Sequence, residues 1–180
     1  MHEPVLAPWG PFYTVTGSSA AALIGLTFVV ITLIGDGARR GNVTSSGVSV
    51  FTTPTVVHFG SALLISAAFC APWHTLEGPA FVLFFVGVVG IAYVARALYH
   101  SQKMTGQYEP DWEDWTWYTI VPAIAYLVMT IAALTLVPLA QPIEFIAAST
   151  VTLLLVIGIR NSWDIVTYLA VAKPEQERNV

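Results

Sequence analysis

The chain of 180 residues has a single cysteine, Cys70, which excludes an internal disulfide and any site built from several thiolates. Charge is scarce too. Asp, Glu, Lys and Arg make up 10% of the residues, against about 25% in soluble domains. None of the four stands between Glu3 and Asp36, between Arg40 and Glu77, or between Asp114 and Glu144. The net charge of −4 gives no support for nucleic-acid binding, which calls for a basic surface. With 56% hydrophobic residues and a mean hydropathy of +0.70, a soluble domain of this size would leave apolar surface uncovered. Lipid is the solvent this composition fits.

Chemical signatures are missing as well. There is no HExxH pair, no phosphate-binding glycine loop, no pair of intramembrane aspartates and no spaced cysteines. The apolar runs carry no central Asp, Glu, Lys or Arg, the groups on which proton relays and ion-coupled carriers rely. A retinal protein needs a mid-membrane lysine, and none is present. No internal repeat marks the two halves, as it does in many coupled transporters. Enzymes and coupled pumps are therefore disfavoured, and no motif calls for a cofactor.

What is present is apolar length. A spanning helix takes about 20 residues, and the chain accommodates five, over 12–35, 53–71, 79–98, 115–139 and 142–160. We expect an all-α integral membrane bundle of five transmembrane helices, one domain over 1–180. Once these spans are drawn, all seven basic residues (Arg39, Arg40, Arg96, Lys103, Arg160, Lys173 and Arg178) fall on one side. Lys and Arg stay cytoplasmic, so the N-terminus is expected outside and the C-terminus inside. No Lys or Arg precedes the first apolar run, so that run reads as an uncleaved span rather than a signal peptide. Thr53-Pro54 is the expected start of the second span, and Pro122 is expected to bend the fourth. The fifth helix is expected to continue along the surface to Ala172. Trp9, Phe12, Tyr13 and Trp73 mark an outer aromatic belt; Tyr99, Trp112, Trp115, Trp117, Tyr118 and Trp163 mark an inner one.

On the first span Thr14, Gly17, Ser18, Ala21, Gly25 and Thr32 share one stripe at helical spacing. Gly17, Ala21 and Gly25 repeat a small-xxx-small pattern that lets another backbone approach closely. The stripe is either a helix-packing face or the hydroxylated lining of a pathway around a symmetry axis. On the second span Thr55, His58 and Ser66 share a face with Ala62, and Ser61 lies beside it. His58 is the deepest titratable group, and imidazole is the side chain best suited to gate or relay protons. His100, just past the third span, lies on the same side. Were the two to converge, they would be the candidate ligands for a metal or haem iron.

The loop before the fourth span places Glu109, Asp111, Glu113 and Asp114 among Tyr108, Trp112 and Trp115. It reads as a solvated inner segment, or as a cation or partner site with Arg39, Arg40, Arg96 or Arg160 as counter-charges. Glu144 opens the fifth span at the outer mouth, where a helix N-terminus favours negative charge.

Phe12-Tyr13, the run Gly17-Ser18-Ser19-Ala20-Ala21-Ala22-Leu23-Ile24-Gly25-Leu26 with Phe28-Val29, and Thr53-Pro54-Thr55-Val56-Val57-His58-Phe59 together resemble a group of small multi-pass bacterial membrane proteins of no assigned activity. The resemblance covers the first two spans. It implies a bacterial inner-membrane location and supplies no mechanism. From the residues themselves the leading expectation is a small homo-oligomeric channel or passive transport protein for an ion or small solute. The alternatives are a non-transporting subunit that docks a protein partner through the acidic-aromatic loop, and a haem or metal redox protein using His58 and His100.

Overall fold

The computed structural model describes the backbone of residues 4–39, 45–103 and 112–177, and within these the side chains of 4–32, 54–99, 112–113, 115–164 and 166–167. The described residues form helices and no strand. A short 3₁₀ turn, Ala7–Trp9, leads into α1 (Gly10–Arg39), which is followed by α2 (Ser45–Cys70) and α3 (Glu77–Lys103). The short α4 (Trp112–Trp115) runs through a π-helical turn (Thr116–Ile120) into α5 (Val121–Thr135), and α6 (Ala140–Glu177) follows.

Four helical stretches are long and apolar enough to cross a bilayer: Ala7–Thr32, Glu77–Tyr99, Thr116–Thr135 and Ala140–Asp164. In α2 the corresponding apolar stretch, Pro54–Cys70, is shorter. The surface of the bundle is apolar, with Leu26, Phe28, Phe81, Phe85, Leu127, Ile131, Leu134, Phe145 and Ile159 all exposed. Such a surface is stable only against lipid.

Two boundaries differ from those read in the sequence. Helix α2 starts at Ser45, so Pro54 lies inside it rather than in its first turn. Proline removes one helical hydrogen bond, the one to the carbonyl four residues back, and α2 continues through that loss. Helix α6 continues beyond Ala172 to Glu177. At Pro122 the backbone departs from the α-helical pattern through a π-helical turn. Val121 donates its N–H to the carbonyl of Thr116, a π-type bond just ahead of the proline that has no N–H to give.

The helices pack in the order α1, α2, α6, α5, α3, and α2 also meets α3. Neighbours run antiparallel where small residues bring them together. Gly17 of α1 faces Ser66 of α2, Gly87 and Gly90 of α3 face Thr130 and Tyr126 of α5, and Gly158 of α6 faces Phe59 of α2. The core is filled by Phe59, Ala62, Ile65 and Phe69 of α2, Leu83 and Val86 of α3, Ala125, Met129 and Ala132 of α5, and Ala147, Val151, Leu154 and Ile157 of α6.

At the end holding the chain's start, Tyr13 is buried against Phe69 and edges against Phe12, so this ring packs the bundle rather than anchoring a belt. There Trp9 donates its indole N–H to Glu144 Oε2 at 2.9 Å, and Val5 donates its N–H to the Trp73 carbonyl at 3.1 Å. The chain start is thereby tied to α6 and to the α2–α3 turn. At the opposite end Arg160 of α6 pairs with Glu113 of α4 and with Asp164 one turn on, and its guanidinium lies 5.9 Å from the centre of the Trp117 ring.

Candidate polar site inside the bundle

Most hydroxyl groups here are satisfied by their own helices. Thr14, Ser19, Thr27, Thr130, Thr152 and Ser162 each donate to the carbonyl four residues back, at 2.8–3.0 Å. A hydroxyl bonded this way faces lipid or packs against a neighbour with no polar group left bare. Tyr13 Oη, buried against Phe69, has no hydrogen-bond partner, and a second buried region gathers several such groups.

It is built where α2, α5 and α6 meet. His58 and Tyr126 are 1% and 0% exposed, and His58 Nδ1 lies 2.9 Å from Tyr126 Oη. Ser61 Oγ lies 3.2 Å from the same phenol oxygen. The Tyr126 ring is seated against Gly90 of α3, where an added Cβ would fall 2.2 Å from the ring. Only glycine leaves room for the phenol to reach across to α2. The imidazole's other nitrogen, Nε2, is buried with no hydrogen-bond partner, and so are Thr55 Oγ1 and both amide atoms of Asn161.

Backbone register places these three side chains on neighbouring turns of α2 and α6. Thr55 and His58 are one turn apart on α2, on one face. Phe59 packs on Gly158, and because α2 and α6 are antiparallel, Asn161 sits at the level of Thr55. An unpaired buried polar group costs about 1–3 kcal/mol. Four of them would offset much of the roughly 5–15 kcal/mol that holds a domain folded. The surrounding helices leave these groups without the hydrogen bonds that would offset that cost.

The Ser61–Tyr126–His58 chain has two settings. With Ser61 donating to Tyr126 and Tyr126 donating to Nδ1, Nε2 carries the hydrogen and is a donor. With Nδ1–H donating to Tyr126 and Tyr126 donating to Ser61, Nε2 is an acceptor. The choice is a shift of protons along two hydrogen bonds, with no change of heavy-atom positions.

The residues singled out in the sequence are distributed as follows. Thr55 and His58 belong to this region. Ser66 is two turns away on α2, where it is buried and its Oγ lies 2.9 Å from Thr16 Oγ1. The α1 stripe divides: Gly17 is buried against Ser66, while Thr14, Ser18, Ala21, Gly25 and Thr32 are exposed. Thr32 donates to the Val29 carbonyl. Glu144 sits at the end holding the chain's start and accepts the Trp9 bond. Glu113 pairs with Arg160. Glu109, Asp111 and the side chains of Asp114 and His100 lie outside the described residues. Among the described residues no three His, Cys, Asp or Glu side chains form a group that could hold a metal ion.

Tyr126 and Asn161 are members that the sequence reading missed. Tyr126 stands far from either aromatic belt, and a phenol there requires an interior partner. Asn161 follows Arg160 and was hidden by it, although it falls on the Gly158 face at helical spacing. Comparison with protein-family models, curated proteins and solved structures gives no match for this chain.

Proposed function

We propose that the chain is a channel or passive transport protein of a bacterial inner membrane, for an ion or small solute. It crosses the bilayer five times, with its N-terminus outside and its C-terminus in the cytoplasm. The polar region at His58, on the cytoplasmic side of the centre, is the station through which the permeant passes. The observation that carries this reading is the set of unpaired polar atoms of Thr55, His58 and Asn161, three buried side chains on α2 and α6. Buried polar groups are normally paired, so three unpaired side chains on neighbouring turns are the exception that calls for a ligand.

The absence of charge along the spans fits passive flux better than coupling to an ion gradient. Helix α1 supports assembly into a homo-oligomer. It is the outlying helix, with 17% of its apolar window buried against 44% for α6. Its exposed Ser18, Ala21 and Gly25 leave room for a second helix, and an added Cβ at Gly25 would meet nothing within 4 Å. The purified protein in proteoliposomes should pass at least one member of a panel of ions and small neutral solutes, and His58→Phe should abolish the flux. No flux across a broad panel, from a protein that is monomeric in gentle detergent, refutes the reading.

A second reading is a non-transporting subunit that docks a protein partner through the segment around α4. Trp112 is 76% exposed beside Glu113, whose carboxylate is held by Arg160. That reading requires a partner that co-purifies and is lost when Asp111, Glu113 and Asp114 are neutralised.

A further inference from the structure

The buried atoms of Thr55, His58 and Asn161 also define what they would hold. We infer that this region binds one small uncharged molecule bearing both hydrogen-bond donors and acceptors, of the size and chemistry of water or urea, and not an ion. The inference deepens the proposed interior pathway and rests on it for the role of the site in flux, though not for binding itself.

The first argument is charge. Thr55, His58, Ser61, Tyr126 and Asn161 have no carboxylate or ammonium among them, and α5 and the Pro54–Cys70 stretch of α2 carry no Asp, Glu, Lys or Arg. The nearest charge in sequence, Arg160, is turned to Glu113, Asp164 and the Trp117 ring. A bare ion entering such a place loses its hydration and finds no opposite charge, a penalty of several kcal/mol even after relaxation. A neutral molecule avoids that penalty.

The second argument is the pattern of donors and acceptors. The Thr55 hydroxyl can donate or accept, and Asn161 presents an N–H donor and a carbonyl acceptor side by side. His58 Nε2 is donor or acceptor according to the setting of the Tyr126 bond. All three groups suit a ligand that offers both functions. The paired edge of Asn161 matches the edge of an amide or urea, which presents the same two functions in reverse.

The third argument is room. The Phe59 ring lies so close to Gly158 that an added Cβ would fall 2.3 Å from it, so α2 and α6 are drawn together one turn from the region. So tight an approach leaves a ligand here few heavy atoms at most.

The test has two independent readouts on the intact protein. In nanodiscs, with histidine labelled by ¹⁵N, urea should shift the His58 imidazole signals saturably. Thr55→Val, which keeps the shape and removes the hydroxyl, should weaken that response about fivefold, the equivalent of one hydrogen bond at about 1 kcal/mol. Asn161→Leu should remove it; if that variant fails to fold, Thr55→Val alone decides. In proteoliposomes, urea should pass faster than through empty vesicles while potassium and chloride do not. A saturable shift without urea flux upholds the site and sinks the transport reading. Potassium or chloride flux blocked by Asn161→Leu sinks the neutral-ligand inference and leaves transport standing. No shift with urea, or a shift equal in wild type and Thr55→Val, overturns the inference.

Discussion

Tyr126→Phe isolates the hydrogen-bonded core of the polar region. The substitution keeps the ring, so the contact with Gly90 survives, and it removes the oxygen that lies 2.9 Å from His58 Nδ1 and 3.2 Å from Ser61 Oγ. The two former partners fare differently. Ser61 can turn its hydroxyl to the carbonyl four residues back, as Ser19 and Ser162 already do. His58 is 1% exposed, and its second nitrogen already lacks a partner. The expected loss is therefore chiefly the stranding of Nδ1, about 1–3 kcal/mol by the general value for a buried unpaired group. Interhelical hydrogen bonds in membrane proteins give smaller couplings, averaging about 0.6 and reaching about 1.7 kcal/mol. We expect a net destabilisation of about 1–2 kcal/mol in detergent-titrated unfolding of the protein in mixed micelles. The decisive measurement is the double-mutant cycle with His58→Leu, which removes the stranded nitrogen. In that background Tyr126→Phe should cost little, giving a coupling of about 0.5–1.7 kcal/mol. A coupling indistinguishable from zero would refute the claim that the α2–α5 bond organises the region.

Other contacts make separate predictions. Gly158→Ala drives a methyl into the Phe59 ring and should destabilise the fold by about 1–3 kcal/mol, with recovery on adding Phe59→Leu; a neutral single variant would contradict the close α2–α6 approach. Glu113→Gln breaks an ion pair whose carboxylate is 64% exposed, so its effect on unfolding should stay below about 1 kcal/mol and vanish in high salt. Cys70 is exposed at the end that holds the chain's start, and the proposed orientation has a membrane-impermeant maleimide label it from the outer side of intact cells. Labelling only after the inner face is opened would reverse every assignment of sidedness.

The fold was legible in the sequence because bilayer physics acts on crude quantities. Run length, the absence of charge and the spacing of small residues suffice to draw helices, and the four stretches that meet the spanning criterion coincide with expected spans. What the sequence obscured were places where one local rule was weighed without its surroundings. Thr53-Pro54 carries a helix-start signature, yet α2 begins at Ser45, because a proline costs one hydrogen bond and a helix packed against α1 and α6 can continue through it. Tyr13 has the composition of a belt residue and is instead buried against Phe69, because α1 and α2 approach through Thr16, Gly17 and Ser66 and carry that ring inward.

The site was half legible for a related reason. Thr55 and His58 stand out on a single helix as polar residues in an apolar run, and one-dimensional spacing finds them. Tyr126 and Asn161 become significant only when three helices are brought together, and the agents of that assembly are glycines whose sequence signal is weak: Gly90 admits the phenol, and Gly158 admits Phe59 and so sets the height of Asn161. The same reasoning separates two kinds of hydroxyl. Thr14 and Thr32 look like pathway groups on a helical projection, but each bonds a carbonyl of its own helix, so their exposure to lipid carries little penalty and demands no aqueous lining. Thr55 lacks that bond and is fully buried. In an apolar solvent polarity along a sequence is thus a poor guide to a pathway, and unsatisfied polarity in three dimensions is the sharper one. By that criterion the proposed permeant site is to be sought between α2, α5 and α6 within one protomer, with α1 left free for the proposed second copy.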